Sequence, residues 1–145
     1  MAEGSCGGLL SATLVAVPGA SNFYVGGAVL YTGPAFEEIL GKDREALKGL
    51  RASTEPFSLA LARIVRRKFD TTWAIGETGA SGPTGNRYGD APGHVALGVA
   101  GPVEKTRILE TGCDDRHENM GLFAAAALGL VEQALTEAAG ALTRQ

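Results

Sequence analysis

The distribution of glycine constrains the fold of this chain more than any other feature of its sequence. The 145 residues include 21 glycines, about twice the usual share of roughly 7%. They stand at the ends of apolar segments and in one long stretch, residues 76–93, and do not recur at a fixed period. The pattern therefore predicts short helices and strands joined by turns and one long polar loop, without an internal repeat.

Hydrophobic periodicity places the elements between these glycines. Helical spacing predicts helices over residues 7–17, 34–41, 53–69 and 116–142, with a further helical turn or two in 43–50. Short β-rich apolar runs predict strands over 24–31, 72–75, 94–100 and 105–111, the first buried on both faces and the last two paired as a hairpin. This order predicts an α/β fold, a three-layer α/β/α domain with a mixed sheet.

Composition excludes several classes of partner. The formal net charge of -3 argues against a nucleic-acid binder, and the basic cluster 63–68 has the spacing of a solvated helix face. The longest apolar stretch, residues 120–131, falls short of the roughly 20 residues that span a bilayer. Two cysteines are too few for a disulfide framework. We therefore predict one cytoplasmic domain over residues 1–145 with a small-molecule ligand, no nucleic-acid or membrane partner, and a possible homo-oligomeric state.

The segment Ser5-Cys6-Gly7-Gly8 precedes the first predicted helix. Unpaired backbone N–H groups and the positive end of a helix dipole favour an anion or a developing oxyanion at such a position. A crevice shared with the loop that begins near Thr78 would present these groups to a phosphorylated or carbonyl substrate. The alternative is that Ser5 only caps the helix and that the glycines only permit close packing.

Two further alternatives concern the nucleophile and a metal. Cys6 at a helix start could have a lowered pKa, with His94 as its base, or it could be a small buried structural cysteine. The acidic and histidine residues of segment 114–118 lack the spacing of a zinc site, so no metal is predicted there. No sequence pattern indicates a cofactor, since residues 76–82 match neither the P-loop nor the dinucleotide fingerprint.

Six segments together resemble the C-terminal domain of the CinA (competence/damage-inducible) family, whose members include nicotinamide-nucleotide amidohydrolases. The family motif Ala-Glu-Ser-Cys-Thr-Gly-Gly corresponds here to residues 2–8, Ala-Glu-Gly-Ser-Cys-Gly-Gly. The resemblance continues, in the family's order, through residues 17–21, 26–32, 53–56, 78–83 and 92–95. It also implies that the helix and strand that normally precede this motif in the family are missing here.

The resemblance implies hydrolysis of the carboxamide of nicotinamide mononucleotide by a serine and lysine pair, with release of ammonia. This sequence has Gly4 at the serine position and Phe36 at the lysine position. Ser5 is displaced by one residue, and His94 stands where the family usually has threonine.

Two functions follow from this comparison. The first is amide hydrolysis, and the second is a catalytically degenerate small-molecule-binding or regulatory protein. The predicted catalytic residues are Ser5, Cys6, Tyr31 and His94, and the predicted substrate-binding residues are Gly7, Gly8, Thr32, Thr78, Gly79, Ser81 and Gly82.

Overall fold

The computed structural model describes residues 1–143, so the last two residues of the predicted domain lie outside it. Five strands are present: β1 (Ala2–Glu3), β2 (Ala28–Val29), β3 (Ala74–Ala80), β4 (His94–Ala100) and β5 (Lys105–Glu110). Four α-helices accompany them: α1 (Leu9–Val15), α2 (Gly33–Leu40), α3 (Glu55–Phe69) and α4 (Arg116–Leu142). Two 3₁₀ segments, Ala20–Asn22 and Gly41–Leu47, follow α1 and α2.

The strands form one sheet in the order β2-β1-β3-β4-β5. Strand β1 is parallel to both β2 and β3, whereas β3, β4 and β5 are antiparallel to their neighbours. The predicted mixed sheet and the predicted hairpin of β4 and β5 are confirmed.

Each face of the sheet is covered by helices. On one face, α3 buries Leu61, Ile64 and Val65 in a core shared with Leu30 and Leu40. On the other face, α1 and α4 pack over a second core, which includes Leu10, Val95, Leu97, Phe123 and Leu130. Two cores separated by one sheet are the three-layer α/β/α arrangement, and this prediction is also confirmed.

Two strand predictions were wrong in extent, and one strand was not predicted. The predicted strand 24–31 is reduced to β2, which pairs with β1 alone at the edge of the sheet. Its expected burial on both faces is wrong, since Val25 and Tyr31 are 67% and 61% exposed. The predicted strand 72–75 instead runs through Ala80 as β3, so the first five residues of the predicted loop belong to a central strand. The sequence does not predict strand β1, because its two residues lie directly before the glycine-rich segment that opens α1.

Helix α4 is long and apolar enough to cross a membrane by length and composition alone. Helices in the cores of α/β domains meet the same criterion. Here Phe123, Ala127, Leu130 and Ala134 are buried on one face of α4. The expected absence of a membrane partner stays a prediction.

A glycine pair at the centre of the sheet sets the distance to α3. Gly76 on β3 and Gly98 on β4 are direct cross-strand partners. A Cβ atom at Gly98 would lie 2.4 Å from the backbone nitrogen of Leu59, and one at Gly76 would lie 2.2 Å from the carbonyl oxygen of Ser58. Ser58 uses this proximity to donate a 2.8 Å hydrogen bond from Oγ to the carbonyl of Ala96.

We expect Gly98→Ala to lower the free energy of unfolding by more than about 2 kcal/mol, because α3 must move off the sheet to admit the methyl group. Chemical denaturation measures this change. Gly121→Ala on α4 is the matched control, since nothing lies within 4 Å of its Cβ position; we expect it to be neutral or stabilising by about 0.5–1 kcal/mol. Equal effects of the two substitutions would contradict close packing at Gly98.

Candidate functional site

An open cleft of about 1020 Å³ lies where the carboxyl ends of β1 and β3 meet. Because these strands are parallel, residues that follow them are brought together at one edge of the sheet. Gly4 and Ser5 follow β1, and Thr78 and Gly79 lie near the end of β3. Helix α2, its following 3₁₀ segment and residues 86–88 form the remaining walls.

A fully buried carboxylate, Glu77, lies beneath the floor of this cleft. It accepts hydrogen bonds from the backbone N–H of Gly4 at 2.8 Å, from the backbone N–H of Cys6 at 3.0 Å, and from Ser5 Oγ. Burial raises the pKa of Glu77 above its ordinary value, against the opposing effect of these donors. Ser5 is itself 7% exposed and lines the cleft.

A second buried carboxylate, Glu3, holds the N-terminal end of α1. Its oxygens accept from the backbone N–H groups of Gly8, Leu10 and Ser11 at 3.0, 3.1 and 3.0 Å, and from Ser11 Oγ at 2.5 Å. The helix end therefore already has an anion, supplied by the preceding strand. Glu3 is held in place because β1 pairs with two neighbours.

This arrangement corrects the expectation that Gly7 and Gly8 present N–H groups to a ligand. Gly7 N donates to the carbonyl of Gly4 at 3.2 Å, and Gly8 N donates to Glu3. Both glycines have positive φ, 64° and 104°, and form the turn into α1 away from the cleft lining. Ser5 is not the helix cap either, since Gly8 occupies that position.

Cys6 and His94 do not face the cleft. Burial, reinforced by the adjacent Glu77, raises the pKa of the fully buried Cys6 thiol far above its ordinary value, which is opposite to the expected lowering. The structure supports the alternative of a small buried cysteine.

His94 is held by two acceptors, with Nε2 2.8 Å from the carbonyl oxygen of Ser53 and Nδ1 bound to Glu110. Burial alone would lower the pKa of His94, but these partners outweigh it and raise the pKa. Neither ring nitrogen is bound to Ser5 or Cys6, so His94 is not placed as a base for either.

Arg116 connects the cleft to the start of α4. Its guanidinium donates to the hydroxyl of Tyr31 and to the carbonyl of Gly82. Nearby, Ser81 Oγ donates to the carbonyl of Ser5 at 2.9 Å, and the Ser81 carbonyl accepts from Asn119 Nδ2 at 2.8 Å. Ser81 and Gly82 therefore support the floor of the cleft from behind.

The cleft lining contains five of the predicted site residues, namely Ser5, Tyr31, Thr32, Thr78 and Gly79. The other six lie outside the lining: Cys6, Gly7, Gly8, Ser81, Gly82 and His94. Gly4 and Phe36, at the family's serine and lysine positions, both line it. The roles predicted for the five lining residues stay predictions.

Several lining residues were missed by the sequence reading. Phe57 makes an edge-to-face contact with Phe36, with ring centroids 6.1 Å apart. Of the four cationic lining residues, Arg44 and Lys48 pair with Glu37 and Glu45, whereas Lys42 and Arg87 have no acidic partner among residues 1–143. Arg87 lies over the Tyr88 ring at 5.1 Å. In the sequence, the one indication of these lining residues is the Arg87-Tyr88 pair inside a glycine-rich loop.

The loop that carries Arg87 and Tyr88 is fixed at its base. Asn86 Nδ2 donates to Ser53 Oγ at 3.2 Å and to Asp90 at 2.8 Å. Asp90 also pairs with Arg51 at 2.6 Å, a contact that lowers the pKa of the Asp90 carboxyl. Within the described part of the chain, no group of three or more His, Cys, Asp or Glu side chains is arranged to hold a metal ion.

A mixed-sheet α/β domain with an open cleft at the carboxyl ends of its parallel strands belongs to a class of folds that bind small molecules there. The profile of the CinA C-terminal domain family matches residues 1–135. The chain belongs to this family, as its motifs predicted.

Relatives and solved structures agree with this assignment. A "CinA-like protein" of Salinibacter ruber is 35% identical over 127 residues, which cover 88% of this chain and 31% of that protein. A "CinA-like protein" of Anaeromyxobacter sp. (strain K) is 36% identical over 135 residues, 93% of this chain and 33% of the relative. The chain thus spans about a third of the length of these curated relatives.

Among solved structures, a CinA superfamily protein from Escherichia coli has a TM-score of 0.81 at 26% identity, covering 91% of this chain and 77% of its own. The corresponding protein from Enterobacter cloacae has a TM-score of 0.79 at 27% identity, covering 93% and 79%.

We expect Glu3→Gln to lower the free energy of unfolding by about 2–4 kcal/mol. The NH2 group of the buried amide cannot accept a hydrogen bond, so it would face backbone N–H groups of α1 that now donate to the carboxylate. Thermal or chemical denaturation measures this. Glu38→Gln removes the same charge from an exposed side of α2 and should change stability by less than about 0.5 kcal/mol. A similar loss in both variants would show that Glu3 acts only through net charge.

Glu77 should make stability depend on pH. Its folded-state pKa lies above the ordinary value of 4.5, so unfolding above that pH releases a proton. The contribution of protonated Glu77 to the free energy of unfolding is fully present below about pH 4.5, and it is lost as the pH rises through the raised pKa. The free energy of unfolding of the wild type minus that of Glu77→Gln should therefore fall with rising pH and then level off. A difference that is flat or rises with pH would contradict the raised pKa.

Proposed function

We propose that this CinA-family domain binds nicotinamide mononucleotide, or a closely related phosphorylated aromatic carboxamide, without the serine and lysine hydrolysis of the family's enzymes. The observation that carries the proposal is that Gly4 and Phe36 both line the cleft. The positions assigned to the nucleophile and its base are thus at the cleft, and neither carries a group that attacks a carbonyl or transfers a proton. We include the predicted cytoplasmic location in this proposal.

The cleft has a size and lining suited to such a ligand. Its volume of about 1020 Å³ is at the upper end of the usual range for small-molecule sites. Phe36 and Phe57 on one wall and Tyr88 on another offer aromatic surface to a pyridine ring.

Charge at the cleft favours an anionic group on the ligand. Lys42 and Arg87 have no acidic partner among the described residues, and both belong to the lining. A phosphate accepts charge-assisted hydrogen bonds from both kinds of cation, and a guanidinium does so with two parallel donors. The ligand's phosphate would therefore lie toward residues 42 and 87.

A titration calorimeter tests binding directly. We expect nicotinamide mononucleotide to bind with a dissociation constant below ~1 mM, and its dephosphorylated riboside to bind at least about tenfold more weakly because it lacks the group that Lys42 and Arg87 contact. Lys42→Ala and Arg87→Ala should each weaken binding several-fold. Arg107→Ala removes an exposed cation from β5, away from the cleft, and should leave affinity unchanged. Equal affinities for nucleotide and riboside would contradict the proposed phosphate contact.

Ammonia release separates binding from hydrolysis. The wild type should release no ammonia from nicotinamide mononucleotide at concentrations that saturate the cleft, and steady release would contradict the proposal.

The double variant Gly4→Ser with Phe36→Lys tests where the carboxamide lies. A Cβ atom at Gly4 would lie 3.4 Å from the carbonyl oxygens of Glu77 and Leu30, which is ordinary contact distance. Gly4→Ala with Phe36→Lys is the matched control without a hydroxyl. Ammonia release by the Gly4→Ser, Phe36→Lys variant and not by its control would place the carboxamide beside residue 4.

A further inference from the structure

Ser5 and Glu77 form a hydroxyl–carboxylate pair that the family's serine and lysine do not account for. Ser5 lies one position after Gly4 and lines the cleft, while its hydroxyl donates to Oε1 of Glu77 beneath the floor. The other oxygen of Glu77 accepts the backbone N–H groups of Gly4 and Cys6. The carboxylate is therefore fixed in position relative to Ser5 from two sides.

Gly79 completes the geometry around the hydroxyl. A Cβ atom at Gly79 would lie 2.9 Å from Ser5 Oγ, so the absence of a side chain there leaves room for the hydroxyl between β1 and β3. Ser81 fixes the Ser5 backbone by donating to its carbonyl at 2.9 Å. Ser5 is thus held with its proton directed at a base and its oxygen at the edge of the cleft, the arrangement that nucleophilic catalysis requires.

We propose that Ser5 and Glu77 are a nucleophile and general base that hydrolyse a carboxylic ester bound in this cleft. Ser5 Oγ attacks the ester carbonyl carbon and its proton passes to Glu77 Oε1. The bond from carbon to the alcohol oxygen breaks, and the proton on Glu77 goes to the leaving alkoxide. Water then gives a proton to Glu77 and attacks the acyl-serine, which releases the carboxylic acid, and Glu77 returns the proton to Ser5.

The environment of Glu77 suits a base. Its complete burial raises its pKa, which makes the ionised form a stronger proton acceptor than an exposed glutamate. Two backbone N–H groups and the Ser5 hydroxyl donate to its oxygens. These hydrogen bonds stabilise the ionised carboxylate, which is the form that accepts a proton.

The same contacts favour an ester over an amide as the substrate class. The backbone N–H groups of Gly4 and Cys6 donate to Glu77, so they are not free to stabilise an oxyanion, a contribution worth about 10²–10³ in rate. An alkoxide is a better leaving group than an amide nitrogen and needs less of this assistance. The inference concerns the same cleft but does not depend on nucleotide binding.

Covalent labelling of the full chain with a fluorophosphonate tests the pair. Ser5 Oγ would form a bond to phosphorus, fluoride would leave, and the proton would pass to Glu77. Mass spectrometry should find one added group, on the peptide that contains Ser5, with no label in Ser5→Ala. Glu77→Gln should slow labelling by about 100-fold or more, and only the wild type should show a labelling rate that rises with pH as Glu77 ionises.

Two control variants test whether a loss of labelling is specific to Ser5 and Glu77. Glu38→Gln removes an exposed carboxylate of α2 that lies outside the cleft lining, and it should label at the wild-type rate. Ser21→Ala removes an exposed hydroxyl remote from the cleft and should have no effect. Wild-type protein should also hydrolyse p-nitrophenyl acetate, with the activity lost in Ser5→Ala.

The proposal is overturned if Ser5 labels no faster than the exposed serines, if Glu77→Gln labels as fast as the wild type, or if labelling occurs without ester turnover. None of these results bears on the nucleotide titration. A failed titration, in turn, leaves the labelling result intact, so the two proposals fail separately.

Discussion

Two buried carboxylates determine the conformation of the segment on which both the sheet and the cleft depend. Glu3 accepts four hydrogen bonds at the start of α1, and Glu77 accepts three from residues 4–6. A carboxylate without such partners in a protein interior costs several kcal/mol. Because every donor here comes from residues 4–11, these residues have one conformation that satisfies both acids, and it places Ser5 at the cleft and Cys6 in the core.

Elements with strong local periodicity could be predicted from the sequence. Helices α3 and α4 and the hairpin of β4 and β5 were predicted nearly to their ends, because their apolar positions recur at a single period. The predicted strand ends at residue 75, short of the end of β3, because Gly76, Glu77 and Gly79 are residues typical of loops. Their presence in a central strand depends on tertiary contacts, namely the close approach of α3 at Gly76 and the acceptance of hydrogen bonds by Glu77.

The candidate site was predicted in part for the same reason. The parallel pairing of β1 and β3 brings Ser5, Thr78 and Gly79 together, as expected for residues near the carboxyl ends of adjacent parallel strands. The proposed general base, Glu77, could not be predicted from the order of strands and loops. Ser5 and Glu77 are 72 residues apart, and an isolated glutamate between two small residues gives no sign of its partners. The sequence instead indicated His94 as the base, but Ser53 and Glu110 occupy both of its ring nitrogens.

Arg116 gives the cleft a connection to the opposite face of the sheet. Its guanidinium holds the Tyr31 hydroxyl on the cleft side and the Gly82 carbonyl behind the floor, while its backbone begins α4. A ligand that displaces the Tyr31 ring must therefore break or shift a contact of the first turn of α4. The cleft wall at Tyr31 and the first turn of α4 are therefore linked through one side chain.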